Sequence, residues 1–242
     1  MCDDTGLIFH QLYEREASAF TYLLADRVQR AAVLIDPVLE TAERDLRLLD
    51  ELGLTLQFIL ETHVHADHVT SAAKLQAMTG AKIAISRASG AEGAQRLLAD
   101  GDRVSFGDFA LTALATPGHT DGCMSYWLEG SVFTGDCLLV RGTGRTDLQG
   151  GCAERMYDSI HSKLWTLSPD TKVFPAHDYR GHLYSTIGQE RRFNPRVGDA
   201  RSREEFVRIM AELRLGPPGK IGQAVPANRR CGLAAPSPPQ QL

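Results

Sequence analysis

The apolar positions of this chain come in two periods. Short apolar runs, "FTYLLAD" (Phe20–Asp26) and "AAVLIDP" (Ala31–Pro37), predict strands, with the polar "RVQR" between them as a hairpin turn. Leu39, Ala42, Leu46, Leu49 and Leu52 then recur at helical spacing, and Gly53 supplies a stop. "LQFILET" predicts a buried strand, "TSAAKLQAMTG" a helix closed by Gly80, and "AKIAIS" another strand. From Arg103 to Cys137 the pattern is all-β: "RVSFG", "FALTALATPG", "MSYWLEG" and "SVFTGDC". "AERMYDSIHSKLWTL" carries Met156, Ile160, Leu164 and Leu167 on one side of a helix. "KVFPAHD" is a strand. "SREEFVRIMAEL" opens with Ser202 and Glu205 in capping-box positions and predicts a late helix.

Hairpins mixed with βα units predict an α+β chain with helices covering two β-sheets. There is no repeat of fixed period. Residues 1–233 read as one catalytic domain, with Arg191 to Leu215 as a helical addition. "AAPSPPQQL" (residues 234–242) lacks a hydrophobic pattern and reads as a loose tail. With 242 residues, 43% hydrophobic and 23% charged, the chain has the mix of a globular protein with a sizeable core. A net charge of -4 gives no footing for nucleic acid. No apolar run approaches the roughly 20 residues that span a bilayer, so no membrane is expected. The opening "MCDDTGLIFHQLYERE" has neither secretion-signal nor transit-peptide character, and the expected location is cytoplasmic. Five scattered cysteines without a CxxC pair predict free thiols, mostly small buried apolar residues. Cys231, between Arg230 and Gly232 in "RRCG", is the one whose neighbours suggest a lowered pKa.

The candidate chemistry sits after strands. "ETHVHADH" places His63, His65, Asp67 and His68 after "LQFIL". His119 follows "LTALATPG", Asp136 follows "SVFTG", and His177 follows "KVFPA". Residues at strand ends can converge at one rim, held in place by rigid strands. Several imidazoles and two carboxylates buried together without a metal would leave costly unpaired polar groups. Seven donors exceed what one catalytic zinc uses. Two metals could share them with Asp136 bridging, or one metal could take a subset while the others hydrogen-bond around it. Spacing leaves both arrangements open. His10, His161 and His182 belong to no such cluster.

With these residues the chain resembles the metallo-β-lactamase superfamily. "THVHADH" matches its HxHxDH signature, and His119, Asp136 and His177 match its later ligands in order. The resemblance implies a four-layer αββα sandwich with a short C-terminal helical addition. Within the superfamily, "TPGHTDGCMSY", "GTGRTDLQGG", "FPAHDYRGHLYSTIGQER", "NPR" and "AVPANRRCG" look like the persulfide dioxygenases. Glyoxalase II, a binuclear thioester hydrolase, is the alternative. It usually carries a longer C-terminal helical region, whereas only one helix is predicted here between His177 and "GPPGK".

The dioxygenase resemblance implies one Fe(II) per chain on His63, His119 and Asp136, with open positions left for substrate and O2. His65, Asp67, His68 and His177 then hydrogen-bond around the iron and its waters. The implied reaction oxidises glutathione persulfide with O2 and water to sulfite and glutathione. Arg145 in "GTGRTD" and Tyr179 match glutathione contacts of glyoxalase II-like proteins, with Arg141 and Arg191 as weaker candidates. The expected partners are these small molecules and a separate sulfurtransferase; a homodimer is compatible with the chain.

Overall fold

The computed structural model describes residues 6–233, so the expected tail and Cys2 lie outside the described residues. One sheet runs in chain order: β1 (Leu7–Glu14), β2 (Ala19–Asp26), β3 (Ala31–Ile35), β4 (Thr55–Leu60), β5 (Lys82–Ser86) and β6 (Arg96–Leu98). The other is ordered β12 (Ser185–Thr186), β11 (Lys172–Pro175), β10 (Ser131–Gly135), β9 (Met124–Leu128), β8 (Phe109–Ala115) and β7 (Arg103–Phe106). β1 to β3 pair antiparallel, whereas β3 to β6 pair parallel through crossovers. Helices α1 (Ala42–Glu51) and α2 (Ala72–Thr79) make the first two of these crossovers.

β2 and β3 read as continuous apolar runs because both of their faces are covered. Tyr22, Leu24, Val33 and Ile35 point between the sheets, where they meet Phe106, Tyr126 and Phe133. Leu23, Ala25 and Leu34 point outward under Leu49 of α1 and Leu75 of α2. On the opposite outer face, α3 (Ala153–Ser159) and α5 (Arg203–Glu212) set Met156 and Phe206 against Val132 and Val173. These four layers make the αββα sandwich. Each fully buried large side chain contributes roughly 1.5–3 kcal/mol.

Two buried tyrosines tie the sheets together at one rim. The Tyr22 hydroxyl donates to the Pro175 carbonyl, and the Tyr126 hydroxyl donates to the Glu61 carbonyl at 2.8 Å. A buried phenol needs such a partner, and both acceptors lie beside the histidine-bearing loops.

The capping box of α5 is present, with Ser202 and Glu205 bonded reciprocally, and Gly80 closes α2 in the left-handed conformation. Five strands and helices have no counterpart among the predicted ones, the two-residue β12 among them. β1 is a half-exposed edge strand interrupted by His10 and Gln11, and β6 has only three residues. α4 (Ile187–Phe193) contains Gly188, and α6 (Ile221–Asn228) contains Gly222 and Pro226, residues that read as breakers. Two helices, α4 and α5, therefore lie between His177 and "GPPGK", correcting the expectation of one.

α6 fastens the C-terminal end of the described chain to the loop that carries His65 and His68. The Asn228 side chain accepts from the Thr70 amide at 2.9 Å and donates to the carbonyls of His65 at 2.9 Å and His68 at 2.8 Å. The Ala73 amide donates to the Cys231 carbonyl, and a Cβ on Gly232 would lie 2.3 Å from the Thr70 oxygen. "AVPANRRCG" is thus a clasp on the histidine loop. Asn228→Ala should lower unfolding free energy by about 3 kcal/mol, because it strands buried polar groups. Urea denaturation checks this, and an unchanged midpoint would mean that the clasp carries no load.

Candidate metal centre

Four of the strands deliver the donors to one rim. His63, His65, Asp67 and His68 follow β4, His119 follows β8, Asp136 follows β10 and His177 follows β11. His63, His119 and Asp136 converge so that one ligand atom from each lies within 4.8 Å of the others. The rings of His63 and His119 are 4.9 Å apart at 89°, and His119 Nε2 is 3.6 Å from Asp136 Oδ2.

The outer nitrogens fix the ring orientations. Thr62 donates its hydroxyl to Asp36 at 2.7 Å, so its oxygen is left to accept from His63 Nδ1 at 2.9 Å. His119 Nδ1 donates to the Arg145 carbonyl at 2.7 Å. His177 Nδ1 faces the carbonyls of Ala17 and Ser18, both at 3.2 Å. Each Nε2 therefore keeps its lone pair for the rim, as in metal-ligating histidines. Burial, reinforced by the surrounding imidazoles, holds His63 well below the usual histidine range, so it stands neutral as a ligand must. Asp136 Oδ1 and His68 Nε2 are buried without a hydrogen-bond partner. Unpaired donors of this kind at one rim fit a metal ion.

A second group joins a nitrogen of His65 to Asp67 and His177 within the same 4.8 Å limit. Asp67 Oδ2 lies 2.9 Å from His68 Nδ1 and 3.5 Å from His177 Nε2. His65 also belongs to a third group, with Asp36 and Glu61. Its Nε2 lies 3.1 Å from Asp36 and 3.5 Å from Glu61, at ion-pair distance but outside hydrogen-bond geometry. Burial alone would lower the His65 pKa, yet these two carboxylates hold it well above the usual range. His65 is absent from the His63–His119–Asp136 group. In the sequence it looks like a donor equal to its neighbours, and Asp36, Glu61 and Thr62 were missed there. Asp36 ends "AAVLI" as the other donors end their strands, a signal that was available.

A cavity of about 760 Å³ opens over the rim. His119, Asp136 and His177 lie at its base, with Tyr179, Arg180 and Arg196 on its walls. Tyr179 is largely exposed and stacks on His177, with ring centroids 5.9 Å apart at 2°. Arg145 lines the cavity, but its guanidinium is already committed to Asp147 at 2.6 and 2.8 Å and to the carbonyls of Leu215 and Gly216. Its carbonyl orients His119 instead. Gly144 makes this possible, since a Cβ there would lie 2.4 Å from the Asp136 oxygen. Arg141 also lines the cavity and is bound to buried Glu190. Arg191 pairs with Asp199 and is not among the cavity-lining residues.

Cys123 and Cys137 are buried, and burial pushes the Cys123 thiol up to about 12. Burial likewise raises Cys231 to about 11, correcting the expectation that Arg229 and Arg230 lower it.

Residues 16–177 match the metallo-β-lactamase superfamily. The chain belongs to that superfamily. Among relatives, it is 50% identical to the mitochondrial persulfide dioxygenase ETHE1 of Homo sapiens, covering 96% of this chain and 91% of the relative. It is 30% identical to a probable metallo-hydrolase of Burkholderia pseudomallei, covering 91% of each. The crystal structure of ETHE1 from Myxococcus xanthus superposes with a TM-score of 0.91 at 50% identity, covering 93% of this chain and all of that one. In this superfamily member, the donor set and its hydrogen-bonded supports form a metal centre.

Thr62→Val should weaken metal binding about 10- to 100-fold, the usual cost of removing a group that orients a ligand. Chelator competition on the folded variant measures it. An unchanged metal affinity would remove the Thr62 hydroxyl from the centre.

Proposed function

We propose that this chain is a persulfide dioxygenase. It oxidises glutathione persulfide with O2 and water to sulfite and glutathione at one Fe(II) per chain. One observation carries the nuclearity. Two histidines and one carboxylate, His63, His119 and Asp136, stand together, and His65 is not among them. Such a set suits non-haem Fe(II). Identity of 50% over 96% of the chain to a persulfide dioxygenase supports the reaction, and the 30% likeness to a probable metallo-hydrolase gives the thioesterase alternative less weight.

His63, His119 and Asp136 would hold an Fe(II) ion, which would supply the affinity for a soft sulfur anion and for O2. The chain's own residues do the rest. The two histidine ligands are held by Thr62 and the Arg145 carbonyl, so their rings need little reorganisation when substrate arrives. A persulfide is more acidic than a thiol, so its outer sulfur is anionic near neutral pH and can be directed to the base of the cavity.

The carrier's carboxylates need cations. Arg145, Arg141 and Lys220 are each paired with a carboxylate, namely Asp147, Glu190, and Glu40 with Glu16. Arg180 and Arg196 line the cavity with no carboxylate partner among the described residues. Half-buried Arg196 gives one donor to the Thr143 carbonyl at 2.7 Å and has others to spare. We assign the carboxylate contact to these two arginines and a stacking or hydrogen-bonding contact to Tyr179.

No helix of the described residues is long and apolar enough to cross a membrane. The described cysteines are all free, which favours a reducing compartment, here taken as the cytoplasm. A separate sulfurtransferase would supply or use the persulfide.

Asp136→Ala should abolish iron binding and O2 uptake together, whereas His177→Ala should keep most of its iron. Metal analysis after anaerobic purification decides; loss of metal as complete in His177→Ala as in Asp136→Ala would overturn the mononuclear site. Arg196→Met should raise KM for glutathione persulfide about tenfold, the value of one charge-assisted hydrogen bond, and leave kcat much less changed. An unaltered KM would remove Arg196 from the carrier site.

A further inference from the structure

Between β10 and α3 the chain runs without strand or helix, yet this stretch supports two members of the His63–His119–Asp136 set. The Gly144 amide donates to the Asp136 carbonyl at 2.8 Å, and the Arg145 carbonyl accepts from His119 Nδ1 at 2.7 Å. A segment with no ladder of its own takes its shape from other partners for its backbone. Here these converge on Glu190 of α4, which is completely buried. One Glu190 oxygen accepts from the Arg141 guanidinium and the Ser185 hydroxyl. The other accepts from the Arg141 amide at 2.9 Å and the Asn194 side chain at 2.8 Å. The same Asn194 nitrogen donates to the Gly142 carbonyl at 3.0 Å. Arg141 itself stands in the left-handed region, at φ 55°. A residue other than glycine stays there only when its surroundings over-determine it, and Glu190 holds Arg141 by both backbone and side chain. The segment is also anchored through the Arg145 guanidinium, but its partners Asp147, Leu215 and Gly216 are exposed.

We propose that Glu190 is a positioning residue of the metal centre. It fixes Arg141 and Gly142, and through them presents the Gly144 amide to Asp136 and the Arg145 carbonyl to His119. A buried carboxylate that accepts from four donors has little freedom to shift, so the segment is preorganised. His63 does not depend on it, because Thr62 and Asp36 orient that ring from the other sheet. Loss of the Glu190 carboxylate therefore loosens His119 and spares His63. This deepens the Fe(II) reading above, which needs both rings in place.

Glu190→Gln keeps the side-chain shape but turns an amide N–H toward groups that are themselves donors. Two properties are compared with wild type. The ring N–H signals of metal-free protein, isotope-labelled at histidine, are followed by NMR for exchange with water, and Fe(II) affinity is measured by anaerobic chelator competition. The His119 N–H should exchange faster while the His63 N–H keeps its wild-type rate. Fe(II) affinity should fall about tenfold, the lower end of the cost of losing a group behind a ligand. Leu49→Ala opens the core under α1, on the other outer face, and should lower stability while leaving both properties as in wild type. Should Glu190→Gln fail to fold, Arg141→Gln carries the test with the same expected result. An unchanged His119 signal or Fe(II) affinity, an equal change at His63, or a comparable loss in Leu49→Ala would overturn the role of Glu190. Wild type that binds no Fe(II) would instead overturn the iron reading, and the metal-free signals would still decide the role of Glu190.

Discussion

The metal centre depends on the carboxylate of Asp36. It ends β3 in a left-handed backbone conformation (φ 50°) and points across to the loop that follows β4. Two short hydrogen bonds, both 2.7 Å, bind the Thr62 amide and hydroxyl. The same carboxylate faces His65. One buried anion therefore orients His63 as a ligand through Thr62 and lies 3.1 Å from His65 Nε2. A strained backbone at such a point persists only when the surroundings over-determine it. Here Thr21 holds the Asp36 carbonyl, and the Asp36 amide donates to the Leu60 carbonyl.

The rest of the fold keeps this junction in register. Tyr22 and Tyr126 bridge the sheets beside it, and Asn228 secures the far side of the histidine loop from α6. The rim is thus held from both sheets and from the C-terminal clasp. Rigid support of this kind lets a few donors be placed within reach of one ion and stay there while a cavity opens above them.

Much of this could be read from the chain because strands buried on both faces leave a strong apolar signal. "FTYLLAD", "AAVLI" and "LQFIL" were legible, and the donors after "LQFIL" followed, although Asp36 after "AAVLI" did not. β1 and β6 were not, since a half-exposed edge strand and a three-residue strand carry little pattern. α6 was hidden by Gly222 and Pro226, although tertiary contacts make it a helix. The donors fall together at one rim, but spacing left their division open, and only the family resemblance separated His63, His119 and Asp136 from the others. Which acid faces His65 depends on Asp36 and Glu61, residues 29 and 4 positions away in sequence. The arginines show the same limit. Arg145 looked like an anion contact, yet Asp147 two residues later binds its guanidinium and its carbonyl is what serves the centre. Arg180 and Arg196, which carry no such partner, were not singled out by any local pattern.

The proposed oxidation on one metal, in a superfamily fold shared with hydrolases, is tested most directly by the balance of gas and product. Anaerobically purified, iron-loaded protein is given glutathione persulfide and then measured O2. O2 uptake and sulfite formation should rise together in equal amounts, with glutathione released in step. Turnover of a glutathione thioester by zinc-loaded protein, with no O2 consumed on glutathione persulfide by the iron-loaded form, would contradict it.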